Sequence, residues 1–404
     1  MQAFRLRLPL QSLWVLATFI VSTLTDFYLP ATPQMALYLG VSGDMIQSAV
    51  TAYFGAFALM GFCAGILADR FGELTLFRAG FFIIVLGSTF CMFSHTITFL
   101  FLGRAIQGVG AGMVGVSILS LIRSYYPGDH ASKVLAQTGM IFITGPFLAQ
   151  WIGGYLTLLI GWKSCFAASG LLGLVFIFLS LDMFSDLEKD SRKKLLHGTV
   201  EKICFSSVLV NYRSLFKNKE GLSLLLLQPL ILGGIWCYRS SLPFILMETY
   251  QVPLENYSYY LIPMVLTHLF SSWVAQKIVL KVGSQNLIQT GIYFLFCGVI
   301  AEFSLLILDL VTPLTLTLAF LPFIAGYSFS MSTSLATGIG RFDSISLAAS
   351  LTVCLRMLGS ASGGAAASYF EENSLLGLNS FLFLASLTSA WLFWYAFKRK
   401  KHPG

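Results

Sequence analysis

Charge is scarce in this sequence. Only 11% of its 404 residues are Asp, Glu, Lys or Arg, against roughly 25% in soluble globular domains. With 56% apolar side chains, the chain cannot cover a soluble fold of this size with polar surface. A cysteine framework is missing as well: the seven cysteines are odd in number and scattered through apolar runs without metal-ligand spacing. Neither a disulfide scaffold nor a zinc site is expected. No apolar run carries a His-x-x-x-His, a Gly-x-Ser-x-Gly or a pair of aspartates, which argues against an enzyme. The absence of a Gly-x-x-x-x-Gly-Lys-Ser/Thr loop argues against a nucleotide-driven pump. No cofactor and no metal are predicted.

Long apolar segments are abundant. A bilayer core needs about 20 mostly apolar residues per helix, and twelve such segments are predicted at 12–36, 45–68, 75–94, 98–122, 132–158, 162–183, 222–248, 256–280, 286–308, 312–336, 346–369 and 376–397. The predicted fold class is an all-α membrane protein of twelve transmembrane helices in two six-helix bundles, 1–183 and 221–404. Between them, 184–220 is rich in Lys and Arg interleaved with apolar residues and reads as a cytoplasmic linker with an interfacial amphipathic helix. Arg5 and Arg7 precede the first apolar run as they would in a signal peptide, but no small-residue cleavage pattern follows, so that run reads as a retained span.

Arg104, Arg239 and Arg356 fall within predicted spans and Lys163 near an external loop; the other Lys and Arg lie at or near one side. Positive loops stay cytoplasmic, which predicts a multi-pass protein of the inner (cytoplasmic) membrane with both termini inside. The net charge of +7 is then a consequence of topology, and no nucleic-acid partner is expected.

Four stretches carry a family resemblance. Gly65-Ile66-Leu67-Ala68-Asp69-Arg70-Phe71-Gly72, between spans two and three, resembles the signature loop of the major facilitator superfamily, although Glu73 and Leu74 stand where the family usually continues with basic residues. In span four, Arg104-Ala105-Ile106-Gln107-Gly108 is similar to the superfamily's Arg-x-x-Gln-Gly pattern. Gly145-Pro146 and Gly153-Gly154 in span five resemble the antiporter helix motif, with Gln150 where a second proline is often found. Thr25-Asp26-Phe27-Tyr28-Leu29-Pro30-Ala31-Thr32-Pro33 in span one is similar to the Asp-x-Tyr-Leu-Pro-Ala-x-Pro stretch of the Bcr/CflA group of drug:proton antiporters. The resemblance implies the major facilitator fold and a conformational gate at Gly65, Asp69, Arg70 and Gly72. It also implies a role for Arg104 in proton coupling and for Gly145, Pro146, Gly153 and Gly154 in a kinked, closely packed helix.

Asp26 is the one carboxylate of the first half well inside a span. It is either the reversible proton site or a helix-end carboxylate satisfied by Tyr28 or Thr25. Glu302 and Glu248 are further acids, expected near the outer interface. Tyr28, Gln107, Trp236, Arg239, His268 and Arg356 are the candidates for contacting a solute. Arg239 and Arg356 either favour an anionic solute through their planar donor forks or pair with carbonyls and acids inside the protein. His268 either titrates near neutral pH or packs as a hydrogen-bonded side chain.

Two functions are predicted. One is a proton-coupled secondary transporter that exports small organic compounds by alternating access. The other is a carrier of an anionic metabolite such as a polycarboxylate siderophore, running as exporter or importer. The expected partners are a small-molecule substrate, protons and the lipid bilayer, and nothing in the sequence demands more than a monomer.

Overall fold

The computed structural model describes residues 10–24, 26–125, 129–183, 218–339, 341, 345–370 and 375–398. Thirteen long helices account for nearly all of them, and no strand occurs among the described residues. The first predicted span is two pieces, α1 (Leu10–Thr23) and α2 (Thr32–Leu39). Single helices follow for the others: α3 (Gly43–Phe71), α4 (Glu73–Met92), α5 (Ile97–Tyr125), α6 (Asp129–Ile160) and α7 (Lys163–Met183). After the central segment come α8 (Lys219–Phe244), α9 (Ile262–Val282), α10 (Ser284–Ile307), α11 (Pro313–Ile339), α12 (Ile345–Tyr369) and α13 (Leu375–Lys398). Eight helices among the described residues are long and apolar enough to cross a membrane. Their outward faces carry large apolar side chains such as Phe82, Leu171, Phe178 and Ile307, as a lipid-facing surface requires.

Helices dominate because a bilayer offers no water to satisfy free backbone groups, so each segment must bond internally. The predicted linker and its amphipathic helix lie outside the described residues up to 217. Lys219 and Glu220, predicted to end that linker, instead open α8, whose first turn is capped by the Asn218 side chain accepting from the Gly221 N–H at 3.0 Å.

The described residues fall into two units: those of Met1–Leu29 with Gly55–Val208, and those of Pro30–Phe54 with Leu209–Gly404. In the first, α4 packs on α5 along a seam of small residues. A Cβ on Gly80 would stand 2.9 Å from the Gly110 carbonyl oxygen, and one on Gly87 2.7 Å from that of Gly103. In the second, α10 packs on α11 in the same way: a Cβ on Gly291 would stand 2.8 Å from the Gly326 carbonyl oxygen, and one on Gly298 2.7 Å from the Phe323 nitrogen. Close backbone approach of this kind is how helices associate where lipid removes the hydrophobic drive.

The turns that lead into these seams also correspond. Gly72 precedes α4 with φ 87° and ψ 142°, and Gly283 precedes α10 with φ 84° and ψ 151°. Each N–H closes the preceding helix, on Ala68 at 2.8 Å and on Val279 at 2.9 Å. Only glycine occupies this backbone region at low cost, so Gly72→Ala and Gly283→Ala are each expected to destabilise the protein by about 1–3 kcal/mol although the space around Gly283 is open. Thermal unfolding of the two variants in detergent checks this.

The second unit also holds the start of α3. Thr51 donates its hydroxyl to the Ala361 carbonyl at 3.3 Å, and the Phe54 ring meets Trp236 edge-on at 4.5 Å between centroids.

Candidate functional site

The site of the first unit is built on the interruption between α1 and α2. Pro30 and Pro33 lack the N–H groups a continuous helix would need here. The chain turns at the end of α1 instead, with the N–H groups of Asp26 and Phe27 both directed to the Thr23 carbonyl, at 2.9 and 3.1 Å. This breaks the single helix predicted over 12–36. It also releases the Leu24 carbonyl, which accepts from the Arg104 guanidinium at 3.2 Å.

Asp26, Tyr28, Arg104, Gln107 and Gln150 are all fully buried. Asp26 Oδ1 accepts from Gln150 Nε2 at 3.0 Å. Arg104 donates to Gln107 Oε1 at 2.6 Å, and Gln107 Nε2 donates to the Ser88 hydroxyl at 2.7 Å. The guanidinium lies over the Tyr28 ring at 4.7 Å, and Phe166 stacks on the same ring at 5.3 Å. An acid and a fixed cation are thus both buried and hydrogen-bonded inside an apolar bundle. Such groups are expensive inside a membrane unless they are paired and hydrogen-bonded.

The glycines of α6 make room for the interruption. A Cβ on Gly153 would collide with the Phe27 carbonyl oxygen, and one on Gly145 would stand 2.8 Å from the Ser22 hydroxyl. The Gly-Pro and Gly-Gly pattern therefore receives the turned backbone of the first span, with Pro146 removing one hydrogen bond within α6. Gln150, which replaces a frequent proline of the resembled family, is the side chain that reaches Asp26. Thr25, a predicted alternative partner for Asp26, lies outside the described residues.

A second cluster forms in the other unit. The Arg239 guanidinium lies over the Trp236 ring at 4.8 Å. His268 Nδ1 is 2.8 Å from the Ser328 hydroxyl, and its ring is 5.5 Å from that of Tyr327. Tyr327 is thus brought beside one predicted solute contact, His268, a neighbour that sequence reasoning did not name.

At the signature loop the side chains of Gly65 and Asp69 lie outside the described residues. Arg70 is exposed and lies over the Phe71 ring at 5.3 Å. Glu73, the departure from the family pattern, accepts a hydrogen bond from Ser120 of α5 and so ties the two helices together. Glu248 is exposed at the end of the seventh span. Glu302 is 1% exposed, because α10 turns that face into the bundle.

A sequence model of the Major Facilitator Superfamily matches residues 14–364. The chain belongs to that superfamily. This major facilitator protein is therefore a transporter and not an enzyme. A bicyclomycin resistance protein homologue of Haemophilus influenzae is 22% identical to it over 352 residues, covering 87% of this chain and 83% of the relative. The multidrug resistance protein MdtL of Klebsiella pneumoniae is 26% identical over 322 residues, covering 78% and 77%. Among solved structures, a D-xylose-proton symporter superposes with a TM-score of 0.72 at 14% identity over 96% of both chains. The xylose transporter XylE from E. coli, in a partially occluded inward-open conformation, gives 0.69 at 14% over 96% of both. At that identity the likeness carries the fold alone, and it is the fold predicted from the sequence.

Proposed function

We propose that this major facilitator protein is a proton-coupled exporter of small organic compounds, working by alternating access in the inner membrane as a monomer with both termini cytoplasmic. The observation that supports this best is the burial of an acid and a fixed cation, Asp26 and Arg104, each hydrogen-bonded, at the interruption of the first span. A proton taken up by Asp26 changes the charge beside the turned backbone whose Leu24 carbonyl Arg104 grips. Read from the sequence, the two bodies of the cycle are 1–183 and 221–404, and the packing groups 30–54 with the second; the gate residues Gly65, Asp69, Arg70 and Gly72 lie at one turn between helices. Relatives named for bicyclomycin and multidrug resistance support the direction and the solute class. Solute contacts are assigned to Trp236, Arg239, His268, Tyr327 and Arg356, whose rings suit aromatic or amphipathic molecules.

A second reading rests on two arginines of the second unit, Arg239 of α8 and Arg356 of α12. Arginine's donor fork matches carboxylates, which favours a carrier of an anionic metabolite such as a polycarboxylate siderophore. Proteoliposomes carrying a trapped pH indicator separate the two. Proton movement on addition of tetraphenylphosphonium supports the exporter of organic compounds. A response to citrate alone, lost in the Arg239→Gln, Arg356→Gln double variant, replaces that reading with the anion carrier. Silence with both classes of solute, in protein that reconstitutes normally, overturns proton coupling.

A further inference from the structure

The two halves carry one helix-pair design, and their register can be followed residue by residue. The alignment that carries the turn glycine Gly72 onto Gly283 also carries the seam glycines Gly80 and Gly87 onto Gly291 and Gly298. Continued along the same helix, it carries Cys91 onto Glu302. In the partner helices, Gly110 matches Gly326 at the seam, and the same register places Phe320 where Arg104 stands. The correspondence reaches the rings: Arg104 covers Tyr28 at 4.7 Å, and Phe320 stacks on Tyr238 at 3.6 Å.

Cys91 borders the first unit's polar network, its thiol 3.9 Å from Gln107 Oε1. At the matching place in the second unit stands a carboxyl group, and the fixed cation has been replaced by a benzyl ring. Glu302 is 1% exposed, and no described side chain or backbone donor reaches either carboxyl oxygen. The titratable or charged side chains on the helices around α10 are Lys219, Glu220, Cys237, Tyr238 and Arg239 of α8, Tyr327 of α11, Tyr395 and Lys398 of α13, and His268, Lys277 and Lys281 of α9; on α10 itself they are Tyr293 and Cys297.

Asn379 of α13 gives an independent sign of a polar interior here. It is 1% exposed, and neither its amide nitrogen nor its oxygen meets a described partner. Phe303, next to Glu302 on α10, and Phe383, one turn beyond Asn379 on α13, meet edge-on at 6.5 Å, so the two helices pack together at this level. A bare carboxylate in this place would forgo every hydrogen bond that water gave it, at a cost of several kcal/mol. A neutral acid forgoes far less.

We propose that Glu302 is a second proton-exchanging carboxyl group, located in the second unit at the position equivalent to Cys91 of the first, and carried as the neutral acid in the state seen here. The first unit buries its acid together with a built-in cation, Arg104, whereas the second buries an acid that only a proton neutralises. This goes beyond the assignment of Asp26 and does not depend on it. Its test needs no solute and no transport.

Infrared spectra of the purified protein in lipid nanodiscs, recorded through a pH sweep without solute, read protonated carboxyl groups from their carbonyl stretch. The wild type is expected to show a carboxylic-acid band that Glu302→Gln removes and Asp26→Asn leaves in place, and that fades reversibly as the pH is raised. Should Glu302→Gln fail to fold, Glu302→Asp keeps the acid and is expected to shift the same band instead of abolishing it. A full set of bands in Glu302→Gln, or no shift in Glu302→Asp, overturns the proposal. So does a Glu302 band that never responds to pH, which would make the acid a locked packing group. Failure of solute-driven proton release would leave these spectra unaffected, so the two readings stand or fall separately.

Discussion

Asp26→Asn is expected to leave a carrier that reaches the membrane and still takes up solute down its own gradient, but no longer moves protons with it. Asparagine keeps an oxygen for the Gln150 amide that now bonds Asp26 at 3.0 Å. The acceptors of Arg104, the Leu24 carbonyl and Gln107, are untouched, so the network survives in outline. What disappears is the group that gains and loses a proton. Coupling between two ligands on one protein is typically worth about 1–3 kcal/mol, or about 5- to 150-fold in affinity. A pH gradient should therefore lose about that factor as a driving force for tetraphenylphosphonium, while exchange of labelled for unlabelled solute continues. Gradient-driven flux equal to that of the wild type would remove Asp26 from the coupling step.

Gly153→Ala is expected to be the most damaging single-methyl change in the first unit. The added carbon would stand 2.7 Å from the Phe27 carbonyl carbon and 3.0 Å from its Cα. Both are backbone atoms of the turned segment, so no side chain can swing aside. Overpacking typically costs about 1–3 kcal/mol, and here the displaced atoms adjoin Asp26, so activity should fall with stability. Gly55→Ala is the control, because a Cβ there meets nothing within 4 Å and alanine favours the helix. The thermal midpoint and transport rate of the two variants, side by side, give the answer: equal behaviour would mean that α1 and α6 do not meet as described.

The twelve spans were legible because hydropathy alone decides whether a segment can bury its backbone in lipid. The interruption at Asp26 was less so, since the apolar run continues through it, yet Pro30 and Pro33 announce it to a reader who asks where the N–H groups go. Gln150 stood out in sequence only as a departure from a familial proline. Its meaning needed the structure, because its partner is 124 positions away. The burial of Glu302 was not legible for a physical reason: distance along a span measures depth in the bilayer, whereas burial depends on which face of the helix meets its neighbours. The sequence did hold the signal that places it. Gly72, Gly80 and Gly87 recur as Gly283, Gly291 and Gly298 with unchanged spacing, a pattern visible without coordinates.

The break after α1 sets an order for biogenesis. The ribosome makes Leu24 80 positions before the arginine that holds its carbonyl, and Asp26 124 positions before the glutamine that reaches it. Until α5 and α6 have followed, the nascent first segment must either thread the insertion channel as a longer, straight helix or wait there with its carboxyl group hydrated. Its final kinked form is acquired only after later helices have entered the bilayer.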